Sequence, residues 1–305
     1  MTAPRHLTLY LDAPTLARHR AAQHNFFARL TAALAARGWT VESTASTPAA
    51  RRAAPARPGY ALFHMEEPTH DAALTCRHIY IGAFWRIEAT GRRWNWPVAR
   101  AGFDAQAVDP ALAWAFADRW RTRLFGRTTI PARQRSVLIA LQGRLLDHRS
   151  FQSMSPIEMI ETVAARYPGR PLLATTHPQE VHTAEERAAL ETLVARWPNL
   201  RVQSGGSDQA LANCGLVVTQ NSSVAFTGYL LHRPALLFAE IDFHHIAASV
   251  PRDGLRVALR EAPRARPDFD SYLFWFLRHQ AINAFAEDTE AQIIAALARH
   301  GWPVE

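Results

Sequence analysis

The chain has 305 residues, 48% of them hydrophobic and 20% charged, which is typical of a globular protein with one large or two medium domains. It contains no run of about 18 apolar residues and no apolar N-terminal segment, so we expect neither a transmembrane helix nor a signal peptide. Two cysteines, Cys76 and Cys214, are too few for a disulfide framework or a cysteine-based metal cluster. The net charge is +7 and comes from scattered arginines, which disfavours nucleic-acid binding and favours anionic substrates or an anionic membrane face.

Short apolar runs alternate with helical patterns in the first part of the chain. Strands are predicted at residues 7–11, 39–42, 60–64 and 78–82. One helix is predicted over residues 14–37, with Gly38 as its C-terminal cap. Residues 43–58 are rich in Ala, Pro, Ser and Arg and are predicted to form a loop.

The segment 82–104 mixes aromatic and charged residues without a helical period, which indicates a loop that lines a cleft. The alternative is a Trp-rich loop packed on its own domain, because aromatic residues dominate cores. A helix is predicted over residues 109–125. The polar, Pro-containing link at 126–135 then marks the boundary between domains.

The second half repeats a strand–helix alternation that predicts a parallel sheet covered on both faces. Strands are predicted at residues 136–141, 171–175, 200–203, 216–219 and 235–238. The helices between them are predicted at 156–167, 184–197 and 208–213, and a polar elbow starts another after residue 223. Two C-terminal helices are predicted, an aromatic one over 272–285 and an amphipathic one over 289–300.

A polar or Gly-containing turn follows each of four predicted strands. Right-handed crossovers bring the carboxyl ends of parallel strands to one edge of the sheet, where open α/β folds bind ligands. The chain has no dinucleotide-binding or Walker glycine pattern, which disfavours NAD and P-loop chemistry. The four turns are Gln142-Gly143, His177-Pro178, Gly205-Gly206 and Asn221-Ser222-Ser223.

The last of these turns joins a buried strand to an apolar helical pattern. Ser222 and Ser223 are residue types that cap helix N-termini. Their hydroxyls, together with unpaired N–H groups at the helix start, would suit an anion such as phosphate. Capping of the helix alone is the alternative interpretation.

Together these turns resemble the second half of the capsule polysaccharide biosynthesis family, which includes bacterial Kdo transferases of the GT-B glycosyltransferase fold. A His-Pro pair followed by a Ser-Ser pair is also found in bacterial sialyltransferases that use CMP-sugars. The resemblance implies an α/β, GT-B-like protein with two Rossmann-like lobes, parallel sheets and an inter-lobe cleft. The lobes would cover residues 1–128 and 129–268, and C-terminal helices at 269–305 would pack back toward the first lobe.

The resemblance also implies a donor site in the second lobe. His177, Ser222 and Ser223 would bind the phosphate of a nucleotide sugar. Neighbouring residues of the same turns would complete that site: Gln142, Gly143, Arg144, Pro178 and Asn221. Family members usually have Asn where this chain has Arg144.

The catalytic carboxylate is matched only loosely, by the segment 87–93. Glu88 in that segment is the first choice. Glu67 is the second, with its neighbour Glu66 as an alternative. An acceptor or an acidic sugar would contact the basic and aromatic residues that follow Glu88 in the chain: Arg92, Arg93 and Trp94.

The resemblance implies transfer of Kdo or a related acidic sugar from a CMP-sugar to a glycan or glycolipid acceptor, in capsule or other surface polysaccharide assembly. No metal or other cofactor is expected, because a phosphate site made of His, Ser and helix N–H groups does not need one. We expect a cytoplasmic protein, with peripheral contact with the inner membrane as an option. A UDP-sugar 2-epimerase of the same shape and a non-catalytic assembly protein are the alternatives.

Overall fold

The computed structural model describes residues 4–126 and 129–304. Its strands are β1 (His6–Leu11), β2 (Thr40–Ala45), β3 (Tyr60–His64), β4 (Ala73–His78), β5 (Phe84–Glu88), β6 (Val137–Ala140), β7 (Leu172–Thr176), β8 (Leu200–Ser204), β9 (Leu216–Thr219), β10 (Ala235–Leu237), β11 (Ala248–Ser249) and β12 (Ile282–Asn283). Its helices are α1 (Ala13–Arg20), α2 (Asn25–Ala35), α3 (Pro48–Ala53), α4 (Pro97–Arg100), α5 (Pro110–Phe125), α6 (Pro156–Arg166), α7 (Ala184–Arg196), α8 (Ser207–Ala212), α9 (Ser223–Tyr229), α10 (Val250–Asp253), α11 (Leu255–Glu261), α12 (Phe269–Phe274) and α13 (Thr289–Arg299).

The chain divides into two compact units. Unit 1 contains the described residues up to Val98 and those from Leu277 onward, and unit 2 runs from Ala99 to Phe276. The domain ranges predicted from the sequence, 1–128, 129–268 and 269–305, have different bounds and stay a prediction. Residues 127 and 128, in the predicted link, lie outside the described residues.

Unit 1 is built on a six-stranded sheet with the order β12-β5-β4-β3-β1-β2. The pairs β1–β2, β1–β3 and β3–β4 are parallel, whereas β5 runs antiparallel to both β4 and β12. One face of the sheet packs against α2 and α13 in an apolar core that includes Phe27, Leu30, Ile293 and Leu297. The strand β12 and the helix α13 therefore complete unit 1 from the far end of the chain.

The structure corrects four sequence-based assignments in these regions. The helix predicted over 14–37 is two helices, because the chain turns between them at Ala22, whose φ is 54°. The loop predicted over 43–58 contains α3, and the strand predicted at 78–82 is replaced by β4 and β5 on either side. The helix predicted over 272–285 ends in a π-helical turn at Trp275–His279, and the chain then enters β12.

Unit 2 is built on a six-stranded, all-parallel sheet with the order β11-β10-β9-β6-β7-β8. Its central strands β6 and β9 are buried at every position, which explains why they are continuous apolar runs. The helices α6 and α7 each begin with a capping box, in which Ser155 pairs with Glu158 and Thr183 with Glu186. The α/β fold with two mostly parallel sheets is thus confirmed, including the strand–helix alternation predicted for the second half.

Candidate functional site

Four strands of unit 2 end side by side in the order β9-β6-β7-β8, and so do the turns that follow them. The amide N–H of Asn221 donates to Gln142 Oε1 at 3.3 Å, which joins the β9 and β6 turns. A Cβ on Gly143 would lie 3.4 Å from the carboxyl group of Glu180, so the β6 turn also touches the loop after β7. The N–H of Gly205 donates to the carbonyl of Thr176 at 2.9 Å, which joins β8 to β7. These contacts form one continuous polar edge.

The Asn221-Ser222-Ser223 elbow combines a capping role with an exposed hydroxyl. Ser222 Oγ accepts from the N–H of Val224 at 3.3 Å and caps α9. Its O–H proton stays available to a ligand, because accepting a hydrogen bond does not use the hydroxyl donor. Asn221 is buried and donates to the carbonyl of Glu240 at 3.3 Å, whereas Ser223 is exposed.

His177 is exposed at the start of the loop after β7. Its Nδ1 lies 3.2 Å from the N–H of Gln179 and accepts from it, so the ring proton is on Nε2. Nε2 makes no hydrogen bond with residues 4–126 or 129–304 and is therefore oriented as a donor for a ligand. Pro178 is also exposed and packs beside Gly205.

The strand order sets the distance between the predicted phosphate ligands. Because β6 lies between β7 and β9, His177 and the two serines stand on turns two strand spacings apart, roughly 9–10 Å. The turn containing Gln142 and Gly143 fills the space between them. That His177, Ser222 and Ser223 bind one phosphate together stays a prediction.

Arg144 follows Gly143 with a φ of 64°, in the left-handed region that Asn tolerates better than Arg. Its guanidinium is exposed and lies 3.7 Å from the Asp147 carboxylate. Strained backbone conformations are frequent at ligand sites. Arg144 lies in the middle of the polar edge.

The sequence interpretation missed residues in the loops that follow β6 and β7. Glu180 Oε2, Arg149 Nε and both ring nitrogens of His182 are buried and make no hydrogen bond within the described parts of the chain. Burial and the neighbouring Arg144 lower the pKa of Arg149. His182 Nδ1 lies 3.5 Å from Glu186 Oε2. Buried polar atoms that lack such a neighbour are sites for a ligand or water. A signal was present in the sequence, since two ionisable residues, Glu180 and His182, follow the His-Pro pair within four positions.

Glu88, the first choice for the catalytic carboxylate, is only 2% exposed at the end of β5 in unit 1. Its Oε1 lies 3.6 Å from Arg86 Nη1 and 3.7 Å from Arg299 Nη2, and its Oε2 lies 3.5 Å from His300 Nε2. It lines a cavity of about 330 Å³ together with Arg278 and other residues of unit 1. The carboxylate thus lies near two guanidinium groups and one imidazole ring.

Glu67, the second choice, holds the loop that follows β5. Its carboxylate accepts from the Thr90 hydroxyl at 2.7 Å and from the Gly91 N–H at 2.6 Å. Glu66 pairs with Arg51 Nη1 at 2.6 Å. These bonds give both carboxylates a structural role in unit 1.

The residues predicted to contact an acceptor lie in the same loop. Arg92 is exposed, and Trp94 is half-buried. Arg93 donates to the Tyr80 hydroxyl at 3.1 Å and lies over its ring. The neighbouring Trp96 is buried, so this part of the segment packs on its own unit.

Residues 4–126 and 129–304 contain no group of three or more His, Cys, Asp or Glu side chains arranged to hold a metal ion. None of the helices described is long and apolar enough to cross a membrane.

The two-unit architecture can be compared with known proteins. The structure is similar to a β-Kdo 2,7 transferase, KpsC, from Thermosulfurimonas dismutans, with a TM-score of 0.53 over 97% of this chain and 99% of that chain, at 11% identity. The chain has the GT-B fold. This result confirms the predicted resemblance at the level of the fold.

Other comparisons are weaker. A β-Kdo 2,4 transferase from the same organism gives a TM-score of 0.47 at 11% identity, covering 89% of this chain and 90% of the other. A putative UDP-N-acetylglucosamine 2-epimerase from Listeria monocytogenes gives 0.40 at 14% identity, covering 100% and 98%. Comparison with protein-family models and with curated proteins gives no match.

Proposed function

We propose that the protein is a glycosyltransferase that takes Kdo or a related acidic sugar from a CMP-sugar and transfers it to a glycan or glycolipid acceptor in surface polysaccharide assembly. The observation that carries the proposal is the polar edge of unit 2, where the turns after β9, β6 and β7 present donor groups on a GT-B fold. Ligands of open α/β sheets bind at this edge.

The donor groups at this edge match the chemistry of a leaving nucleotide. When a CMP-sugar reacts, the bond between the anomeric carbon and the phosphate breaks and CMP leaves with additional negative charge. Hydrogen-bond donors and cations placed at the phosphate stabilise that charge. His177 Nε2, the hydroxyls of Ser222 and Ser223 and the Arg144 guanidinium would supply them, and no metal is needed for this step.

The roles of the intervening residues follow from their position. Gln142 and Gly143 lie between the β7 and β9 turns, where a phosphate or the first atoms of the sugar would be placed. The absence of a side chain at Gly143 leaves room beside Glu180. Pro178 and Asn221 hold the backbone of the two outer turns, Asn221 through its bond to Gln142.

The test is calorimetric titration of the full-length protein with CMP. Loss of one charge-assisted hydrogen bond costs about 1.5–3 kcal/mol, so His177→Ala should weaken CMP binding about ten- to a hundred-fold. Ser223→Ala should weaken it by a similar factor, because its hydroxyl would donate to the same anionic phosphate. His6→Ala, at the amino end of β1, is the matched control and should bind CMP like the wild type.

Thermal-shift measurements with CMP, UDP and GDP separate the alternatives. Stabilisation by CMP alone supports a CMP-sugar donor. Stabilisation by UDP alone would favour an epimerase, and no stabilisation by any of the three would favour a non-catalytic protein. Unchanged CMP affinity in a folded His177→Ala variant would contradict the donor-site assignment.

A further inference from the structure

Two oppositely charged side chains of unit 2 lie close together without pairing. Arg149 belongs to the loop between β6 and α6, and Glu180 to the loop between β7 and α7. Burial and Arg144 lower the pKa of Arg149, whereas the nearby charges of Asp147 and Glu180 raise it. Neither the Arg149 nor the Glu180 side chain forms an ion pair or a hydrogen bond with the parts of the chain that the structure describes. A gap therefore separates the two charged groups.

The backbone of Glu180 is tied to the turn that follows β7. Its N–H donates to the carbonyl of His177 at 3.0 Å, so Glu180 closes the turn that begins at the predicted phosphate ligand. Its carboxylate oxygen Oε2 is buried, whereas Oε1 is not. A Cβ on Gly143 would lie 3.4 Å from Oε1. Glycine at this position therefore keeps the space beside the carboxylate open.

The guanidinium of Arg149 is positioned by an aromatic ring. Its central carbon lies over Phe151, 5.0 Å from the ring centroid. The main chain is held as well, because the N–H of Arg149 donates to Gln152 Oε1 at 2.8 Å. Stacking engages the flat face of a guanidinium and leaves its N–H fork available to a planar pair of acceptors. Arg149 is thus placed to donate two parallel hydrogen bonds to a ligand.

The gap between these charges defines the kind of group that would fill it. Partly buried charges without partners are unfavourable unless a ligand or water pairs with them. The carboxylate of Glu180 can only accept hydrogen bonds, and the guanidinium of Arg149 can only donate them. A ligand group that satisfies both must therefore present a donor and an acceptor side by side. An ionised phosphate has no donor and would satisfy Arg149 alone.

The pairing edge of cytosine has this pattern. It carries an amino group, N4, beside two acceptors, N3 and O2. The carboxylate of Glu180 would accept from N4, and the guanidinium fork of Arg149 would donate to N3 and O2. Uracil instead presents an oxygen where cytosine has N4 and an N–H where cytosine has the N3 acceptor. Both charged groups would then face the wrong kind of atom, which a site built for hydrogen bonding rejects.

We propose that Glu180 and Arg149 bind the cytosine base of the donor and select it against uracil. The proposal rests on the proposed function, because it takes the phosphate to lie at the turns of His177 and Ser222. One ribose joins the base of a nucleotide to its phosphate, and Glu180 stands three residues after His177 in the same loop. The subsite consists of residues of unit 2 alone.

The ribose hydroxyls are the competing occupants of the gap, because a hydroxyl both donates and accepts. The shape of the guanidinium favours the base. Its fork matches two acceptors held side by side in one plane, as N3 and O2 of cytosine are. Ribose hydroxyls would satisfy Glu180 but would not offer Arg149 a planar pair of acceptors. The two occupants make different predictions for 2′-deoxy-CMP, which keeps the base and lacks one hydroxyl.

The experiment is calorimetric titration of the full-length protein with CMP, UMP and 2′-deoxy-CMP. The wild type should bind CMP about ten- to a hundred-fold more tightly than UMP. The amide of Glu180→Gln can accept from cytosine N4 through its oxygen and donate to uracil O4 through its nitrogen. This variant should bind CMP about ten-fold more weakly and UMP more tightly, so that its two affinities become nearly equal.

Two further variants separate recognition from a loss of charge. Glu185→Gln is the matched control, because Glu185 is an exposed carboxylate at the start of α7, and it should keep the wild-type preference for CMP over UMP. Arg149→Lys keeps the positive charge but has no planar fork. It should bind CMP about ten-fold more weakly than the wild type, and an unchanged affinity would overturn the role of Arg149.

The preference for CMP over UMP is the readout that a merely structural role would not change. An unchanged preference in a folded Glu180→Gln variant would overturn the assignment, and so would equal binding of CMP and UMP by the wild type. If Glu180→Gln instead abolished a wild-type preference for CMP over 2′-deoxy-CMP, Glu180 would bind the ribose and the assignment would be wrong. In each of these cases binding of CMP through His177 leaves the proposed function standing. No binding of CMP by the wild type would overturn the proposed function, and this proposal with it.

Discussion

Arg144 has a left-handed backbone conformation, which is unfavourable for a long side chain. Its φ of 64° costs a residue with a Cβ about 1 kcal/mol, and Asn carries less of that cost. We therefore expect Arg144→Asn to raise the free energy of unfolding by about 0.5–1 kcal/mol, measured by urea denaturation. Arg144→Ala removes the same charge but keeps the Cβ strain, so it should not gain this stability. Both variants should bind CMP more weakly, and equal stability of the two would contradict the strain argument.

His24 links stability to pH. Burial and nearby positive charges lower its pKa from 6.5 to about 4. Between these values the unfolded chain binds a proton that the folded protein does not, so the free energy of unfolding falls as the pH falls. The loss over this range is at most about 3 kcal/mol. His24→Asn keeps a side chain that can cap α2 and should flatten this part of the pH–stability curve; an unchanged curve would show that other groups cause it.

At the scale of elements, two helices of unit 2 start with the same motif but in different surroundings. Glu158 closes the capping box of α6, and Glu186 that of α7. Only Glu186 also accepts a hydrogen bond from the Leu145 N–H, in the loop after Arg144. Glu158→Ala and Glu186→Ala should each cost about 1 kcal/mol or more of stability, as lost caps do.

Comparison of these two variants distinguishes a residue that only caps its helix from one that also supports the donor site. Glu186→Ala should also weaken CMP binding, because the loop from Gly143 to Leu145 loses a hydrogen bond that holds it. Glu158→Ala should bind CMP normally. Calorimetry on both variants, with unfolding curves to show that they are folded, decides the matter. Equal CMP affinities would mean that the loop does not depend on α7.

How far the sequence could predict each element depended on its surroundings. The strands of unit 2 were predictable because parallel strands buried on both faces are short apolar runs, as β6 and β9 are. β4 and β5 were not predicted, because Arg77 and Arg86 interrupt their apolar patterns. The break between α1 and α2 at Ala22 was not predicted either, because no Gly or Pro marks it. The turns of the donor edge were visible because each directly follows a strand.

Pairs formed across the fold were not predictable in this way. Asp12 and His64 are ordinary residues in their own segments. Asp12 Oδ2 lies 2.8 Å from His64 Nδ1 only because β1 and β3 are neighbours in the sheet. Glu180 is also unremarkable until Gly143 is placed beside it. Residue types at strand ends can be read from one sequence, whereas contacts between strand ends require the topology.

At the scale of the whole molecule, the two units differ in how the chain builds them. Unit 2 is one continuous segment, whereas unit 1 needs residues from Leu277 onward. Within unit 1, β12 pairs with β5, Ile293 and Leu297 are fully buried in its core, and the Trp302 ring stacks on Trp39 at 6.0 Å. Each buried side chain of this kind stabilises the fold by about 1.5–3 kcal/mol.

Removal of residues 277–305 should therefore unfold unit 1, because the lost burial is comparable to the total stability of a typical domain, about 5–15 kcal/mol. The segment 99–276 should fold alone and keep CMP binding, since His177, Ser222, Ser223 and the whole unit 2 sheet lie within it. Circular dichroism and limited proteolysis report on folding, and calorimetry reports on CMP. His177→Ala in the same fragment is the control and should weaken CMP binding as it does in the full chain. A folded 99–276 fragment that does not bind CMP would show that the donor site needs residues of unit 1.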